Sequence, residues 1–234
     1  MRALIAGICL AVAAPAAAQS TSVGVNVAWD VARYTRVESD DIFALVPTAE
    51  SIDGDALGFA ANVRQAIGDD WGVAFEFIRT GEMESRSTRQ FGPVPLPTGP
   101  AGITVPGVAL PPFGRPDFEI EFRTEQQHMS YNALAWARHD VGDRLDLSYL
   151  GGVAFVRSEF ERDFGIDPRV LAITIPASEL TTVEFNVAPA AGVDADIELT
   201  DHTAFTAGLR VLGLNAGGRK GWLIRPGVGV RWTF

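Results

Sequence analysis

Lysine, cysteine and histidine are nearly missing from this chain of 234 residues, which has one lysine (Lys220), one cysteine (Cys9) and three histidines (His128, His139 and His202). The cysteine falls within Met1 to Ala18, a stretch with the make-up of a cleaved secretory signal. Arg2 starts it, an apolar run spans Ala3 to Ala14, and Ala16-Ala17-Ala18 precede Gln19. That run is well short of the ~20 residues that cross a bilayer as a helix, and Cys9 lies too early, after Ile8, for a lipoprotein signal. With residues 1–18 removed, residues 19–234 form the expected single domain. It has no thiol, which excludes disulfides, thiolate catalysis and cysteine-bound metal. Loss of Arg2 takes the formal charge from -10 to -11, the wrong sign for binding nucleic acid. So little lysine implies that much of the surface does not face water. No later apolar run reaches helical spanning length, so a membrane could be crossed only by a closed barrel.

What the chain does have is period-two alternation. Its last residues, Gly221 to Phe234, set Trp222, Ile224, Pro226, Val228, Val230, Trp232 and Phe234 against Leu223, Arg225, Gly227, Gly229, Arg231 and Thr233. The same pattern predicts strands from Ser22 to Tyr34, from Asp55 to Ile67 and from Trp71 through Phe77, the last two joined by a Gly68-Asp69-Asp70 turn. After Gly81 the pattern dissolves. Phe91 to Pro116 holds eight of the fourteen prolines and one charge, Arg115, and is expected to be a long loop. Further strands are predicted over Glu119 to Arg138, Leu145 to Phe160, Thr181 to Leu199 and Thr203 to Leu214. In the first of these, Tyr131 and Ala133 compete with Leu134 and Trp136 for the apolar face. Pro189 and Pro226 sit inside strands, where a bulge or local break is expected. The connections alternate long and tight along the chain, and the last, Asn215 to Lys220, is moderate. An up-and-down barrel with both termini on one rim produces that alternation.

Amphipathic strands also build soluble sandwiches and lipocalin-type barrels, and side-chain size separates the cases. The second face is mostly Gly, Ala, Asn, Ser and Thr, the volume that fits a narrow eight-stranded lumen. Its charges have both signs: Asp30, Glu76, Asp146, Glu184, Asp194 and Asp196 against Arg64, Arg210, Arg225 and Arg231. These ten are predicted to form a lumen ion network, since an arginine facing lipid near the midplane costs ~2–4 kcal/mol. Trp29, Trp71, Trp222 and Trp232 fall toward strand ends, where aromatic girdles lie. The fold class expected is therefore all-β, an eight-stranded antiparallel up-and-down transmembrane β-barrel.

The leader ending in Ala-Ala-Ala-Gln, the segment Met129-Ser130-Tyr131-Asn132-Ala133, the strand Tyr149-Leu150-Gly151-Gly152-Val153 and the ending Gly227 to Phe234 carry a resemblance. The chain resembles the small outer-membrane β-barrels of Gram-negative bacteria that include opacity proteins and the barrel of outer-membrane protein A. The resemblance implies an outer-membrane location with periplasmic termini and contact with membrane lipid and lipopolysaccharide. It also implies that Trp232 and Phe234 serve as the signal read by the barrel-assembly machinery. Some relatives modify lipid A. His128 with Ser130 two residues on is the one candidate here, because His139 and His202 fall at tight turns on the other rim. Asp53-Gly54-Asp55 lacks the acid spacing of a calcium loop. No catalytic, cofactor-binding or metal site is expected, and the reading is a structural or surface-interaction protein with a closed lumen; a narrow channel is the alternative.

Overall fold

In a computed structural model, residues 20–35, 53–91, 118–142, 144–166, 180–216 and 219–234 are described. The leader and most of the predicted long loops, including 92–116, lie outside them. Nine strands follow in order: β1 (Thr21–Tyr34), β2 (Gly54–Ala66), β3 (Trp71–Arg79), β4 (Met83–Phe91), β5 (Phe118–Gly142), β6 (Leu145–Ile166), β7 (Leu180–Thr200), β8 (Thr203–Ala216) and β9 (Arg219–Thr233). All neighbours are antiparallel, in the order β3-β2-β1-β9-β8-β7-β6-β5-β4, and β3 also pairs with β5. That last pairing closes the sheet on itself, and β1 against β9 joins the two ends of the chain.

Nine strands make only eight walls, because β3 and β4 are two parts of one. Arg79 pairs with Met129 and Met83 with Gln126, so Thr80, Gly81 and Glu82 stand against only Gln127 and His128. One extra residue is a β-bulge. The Thr80 amide donates to the His128 carbonyl at 2.9 Å, and the His128 amide donates to Thr80 Oγ1 at 2.8 Å. Here the sequence reading needs correction, since residues 83–91 continue the wall where a loop was expected. The bulge reverses which parity faces inward: Ile78 and Met83 are both buried, although one number is even and the other odd.

Elsewhere the faces follow the alternation. Val23, Val25, Val27, Leu57, Phe59, Phe75, Tyr149, Phe155, Val228, Val230 and Trp232 are exposed on the outside. In β5, Tyr131 is outside, while Leu134 is buried and Trp136 donates from Nε1 to the Val73 carbonyl at 3.1 Å. The two prolines differ. Opposite Pro226 the β1–β9 ladder stops at Ala28–Gly227 and resumes at Val31–Ile224 without a change of register. Pro189 produces no bulge: it pairs with Val153 of β6, and the ladder to β8 begins only one residue later, at Ala190–Leu212. A residue without an N–H is tolerated where no ladder bond is needed.

Three tight connections share one rim with the start of β1 and the end of β9, whereas the last connection, expected to be of moderate length, is also tight and lies at the opposite rim, where Ala216 pairs with Arg219. The Thr233 amide donates to the His202 carbonyl, Phe234 to Thr21, and Arg138 to Asp70. At the opposite rim, β4, β5 and β6 run on together, with pairings as far as Phe91–Phe118 and Ile120–Ile166. They form a fin above the barrel wall.

The interior leaves no space to spare. A β-carbon added at Gly58 would run into the Asp30 carboxylate and the Arg79 carbonyl. Gly58→Val is therefore expected to destabilise the barrel by ~1–3 kcal/mol through overpacking, whereas Ala61→Val, on the outward face, stays within ~0.5 kcal/mol. Urea unfolding followed by tryptophan fluorescence measures both.

Candidate functional site

The inward positions of six strands bring eight of the ten predicted charged residues together. Asp194 of β7 is the hub. Its carboxylate accepts a two-pronged bond from Arg210 of β8, Nη1 to Oδ1 at 2.6 Å and Nη2 to Oδ2 at 2.9 Å. Arg64 of β2 bonds the same carboxylate, and Arg231 of β9 reaches it at 3.2 Å. Arg231 also pairs with Asp196, which accepts from Thr206 Oγ1 at 2.6 Å. Arg210 Nε bridges onward to Glu76 of β3 at 3.2 Å, and Glu76 accepts from Asn132 of β5 at 3.2 Å. Beside this chain, Arg225 Nε lies 3.0 Å from Asp30 Oδ1. All eight are buried, Asp30 with 0% exposure.

The arrangement is charge-neutral, with Arg64, Arg210, Arg225 and Arg231 against Asp30, Glu76, Asp194 and Asp196. Neutrality is what burial demands, because an unpaired ion away from water carries a desolvation cost of several kcal/mol. Backbone choice makes the room: a β-carbon at Gly208 would collide with Asp194 Oδ1. The space left among Asn26, Glu76, Asp194, Thr206, Arg210 and Arg225 is about 20 Å³, room for roughly one water.

Two predicted members stand elsewhere. Asp146 lies at the turn rim, 3.9 Å from Arg138, and Glu184 is half-buried near the other end of β7. Both fall at inward-parity positions of their strands, but alternation carries no information on height along the barrel.

Above the ions sits a tier that the sequence reading did not assemble. His128 is buried, with Nδ1 2.9 Å from Ser158 Oγ and Nε2 3.2 Å from Tyr34 Oη. The Phe160 ring packs edge-on at 6.0 Å from the histidine. Ile78, Met83, Val156, Leu212, Leu214 and Leu223 fill the same level. Ser130 is buried as well, and its hydroxyl makes no bond to another described residue. His128 thus engages Ser158, thirty residues away in the chain, a partner that local spacing cannot reveal.

On the outward face of the fin, charges pair at the surface. A hydrogen bond from Arg86, joined by Arg123, holds the Glu84 carboxyl below its usual range. Glu125, hydrogen-bonded to Glu82, is pushed up. Trp232 and Phe234 are exposed on the outer face at the turn rim, where Trp232 stacks on His202 at 6.1 Å. Among the described residues, no group of three or more potential ligands gathers for a metal.

The Asp30–Arg225 pair gives a clean energetic test. Arg225→Met is expected to cost ~3–5 kcal/mol by stranding a buried carboxylate, and Asp30→Leu combined with Arg225→Met is expected to restore most of it. The urea midpoints of the two single variants and the double variant measure the coupling.

No family model matches this chain, and no curated protein does. Among solved structures, Neisserial surface protein A is 13% identical over 92% of this chain and 99% of its own, with a TM-score of 0.49. The attachment invasion locus protein Ail of Yersinia pestis, solved with the heparin analogue sucrose octasulfate, is 14% identical over 91% and 99%, at 0.44. The outer membrane protein OprG of Pseudomonas aeruginosa is 9% identical over 92% and 95%, at 0.42. Each of these structures is similar to this chain along nine-tenths or more of both lengths.

Proposed function

We propose that this protein is an integral β-barrel of the bacterial outer membrane, with periplasmic termini and a structural or surface-interaction role. The observation that carries the reading is an inverted distribution of polarity. Val25, Val27, Val187 and Phe185 are 61, 57, 65 and 77% exposed, whereas eight acidic and basic side chains are buried inside. Soluble monomers rarely expose contiguous apolar patches beyond a few hundred Å²; here such a surface is continuous around the barrel. Its height also suits a bilayer. The nine residues of β3, at ~3.4 Å each and tilted ~40°, rise ~23 Å, close to the ~25 Å apolar band of such barrels.

Aromatic residues border the belt. Trp71, Tyr149, Phe205 and Trp232 lie toward the turn rim; Phe59, Phe77, Tyr131, Phe155, Phe185 and Trp222 lie toward the other. Trp232 and Phe234 are the proposed contacts of the barrel-assembly machinery, and lipid with lipopolysaccharide is the proposed surrounding. The fin would hold the longer connections away from the membrane as recognition elements. A catalytic role finds little support, since His128, Ser130 and Ser158 all point into a packed interior rather than toward lipid. The neutral network and the small space beside it favour a closed lumen over a channel.

Three measurements bear on this reading. Outer-membrane fractions should contain the protein as a band that runs compact before boiling and slower after, and a periplasmic protein with no such shift would count against the proposal. Planar bilayers containing the purified protein should show little or no conductance; large, stable, reproducible channels would favour the porin alternative. Deletion of Phe234 should lower outer-membrane yield severalfold while leaving the refolded barrel's network intact, and an unchanged yield would remove the assembly role.

A further inference from the structure

We propose that Arg79 and Arg157, with the external groove that Arg157 lines, form a binding site for a phosphorylated lipid of the outer leaflet; this rests on the membrane orientation proposed above. Register places the two arginines. Arg79 of β3 pairs with Met129 of β5, and Met129 pairs with Arg157 of β6. The arginines therefore share one row of the outward face, two strand spacings or ~10 Å apart. Directly below runs a row of rings, Phe77, Tyr131 and Phe155 in register, with Phe77 and Tyr131 centroids 5.3 Å apart.

Between these rows the wall is indented. A groove of 460 Å³ is lined by Met129, Tyr131, Phe155, Arg157, Phe185 and Val187, within the size range of small-ligand sites. Below the rings the outward row is Ala133, Val153 and Pro189, and the next is Ala135, Gly151 and Ala191, where nothing lies within 4 Å of the place a Gly151 β-carbon would take. An acyl chain laid along this track would pass from the rings over the apolar Val153 and Pro189 to the small side chains of the next row.

Charge selects the occupant. Arg86, Arg123 and Arg138 each form an ion pair with one or more nearby acids. Among the described residues, Arg79 forms no ion pair and reaches the Gln127 side-chain oxygen at 3.5 Å. Arg157 pairs with Glu159 at 2.9 Å, but both are more than a third exposed, and such a pair is weak enough to yield to a stronger anion. Guanidinium groups bind phosphate oxygens in a planar, two-pronged geometry. At the upper edge of the apolar belt they meet a headgroup and not hydrocarbon, so their burial cost is small. A second copy docking by two-fold symmetry would bring like arginines together, which disfavours that occupant.

Native mass spectrometry in detergent tests the site with three probes: diphosphorylated lipid A, the same lipid with its phosphates removed, and inorganic phosphate. Wild-type protein should retain lipid A. The Arg79→Gln/Arg157→Gln variant should lose at least tenfold in retention, and Arg123→Gln should change it less than twofold. Phe155→Ala with Phe185→Ala should weaken lipid A binding as well. Equal retention of the dephosphorylated lipid, or no loss in the double-arginine variant, would overturn the proposal. Full competition by millimolar inorganic phosphate would overturn its lipid part. The heat-modifiable band separates this outcome from the barrel reading: lost binding with the band intact reports on the site, while a wild-type protein without the band discredits the membrane orientation itself.

Discussion

The closed hydrogen-bond ladder is the constraint on which everything else in this molecule depends. β1 meets β9 and β3 meets β5, so the eight walls leave no free edge around the belt. Closure makes every side chain choose between two environments only, and the choice alternates with period two. A one-residue slip would exchange them all. The neutral cluster around Asp194 and the apolar belt outside it are two results of one register.

Closure also fixes what the interior can be. Eight strands enclose a space that side chains fill, so long guanidinium groups and carboxylates from facing walls necessarily meet. Arg210 shows the consequence: from β8 it bridges Asp194 on the neighbouring strand and Glu76 on β3. Small residues are the other half of the device, as at Gly58 and Gly208, where any side chain would take the volume that a carboxylate occupies.

The irregularities concentrate at one level of the wall. The bulge at Thr80–Glu82, the Tyr34–His128–Ser158 contacts and the end of the β7–β8 ladder near Pro189 all lie toward the rim that bears the fin. Beyond the belt a strand needs no apolar face, which explains why β4, Met-Glu-Ser-Arg-Ser-Thr-Arg-Gln-Phe, reads as a loop: every residue between Met83 and Phe91 is polar, and the bulge has shifted the parity. Pro189 misled for a related reason. Proline disrupts a ladder only where its missing N–H would have donated, and a linear pattern does not say which neighbour each N–H faces.

Alternation, residue size and charge by themselves determined the strands of the belt and, β5 apart, their inward and outward faces. Those properties are local, repeating every second residue. Tertiary structure alone decided height and partnership: which of the inward charges meet, why Asp146 and Glu184 stand apart, that His128 finds Ser158, and that Arg79 and Arg157 share a row. These follow from the stagger between strands far apart in sequence, which is set when the ladder closes and is not encoded in any single strand.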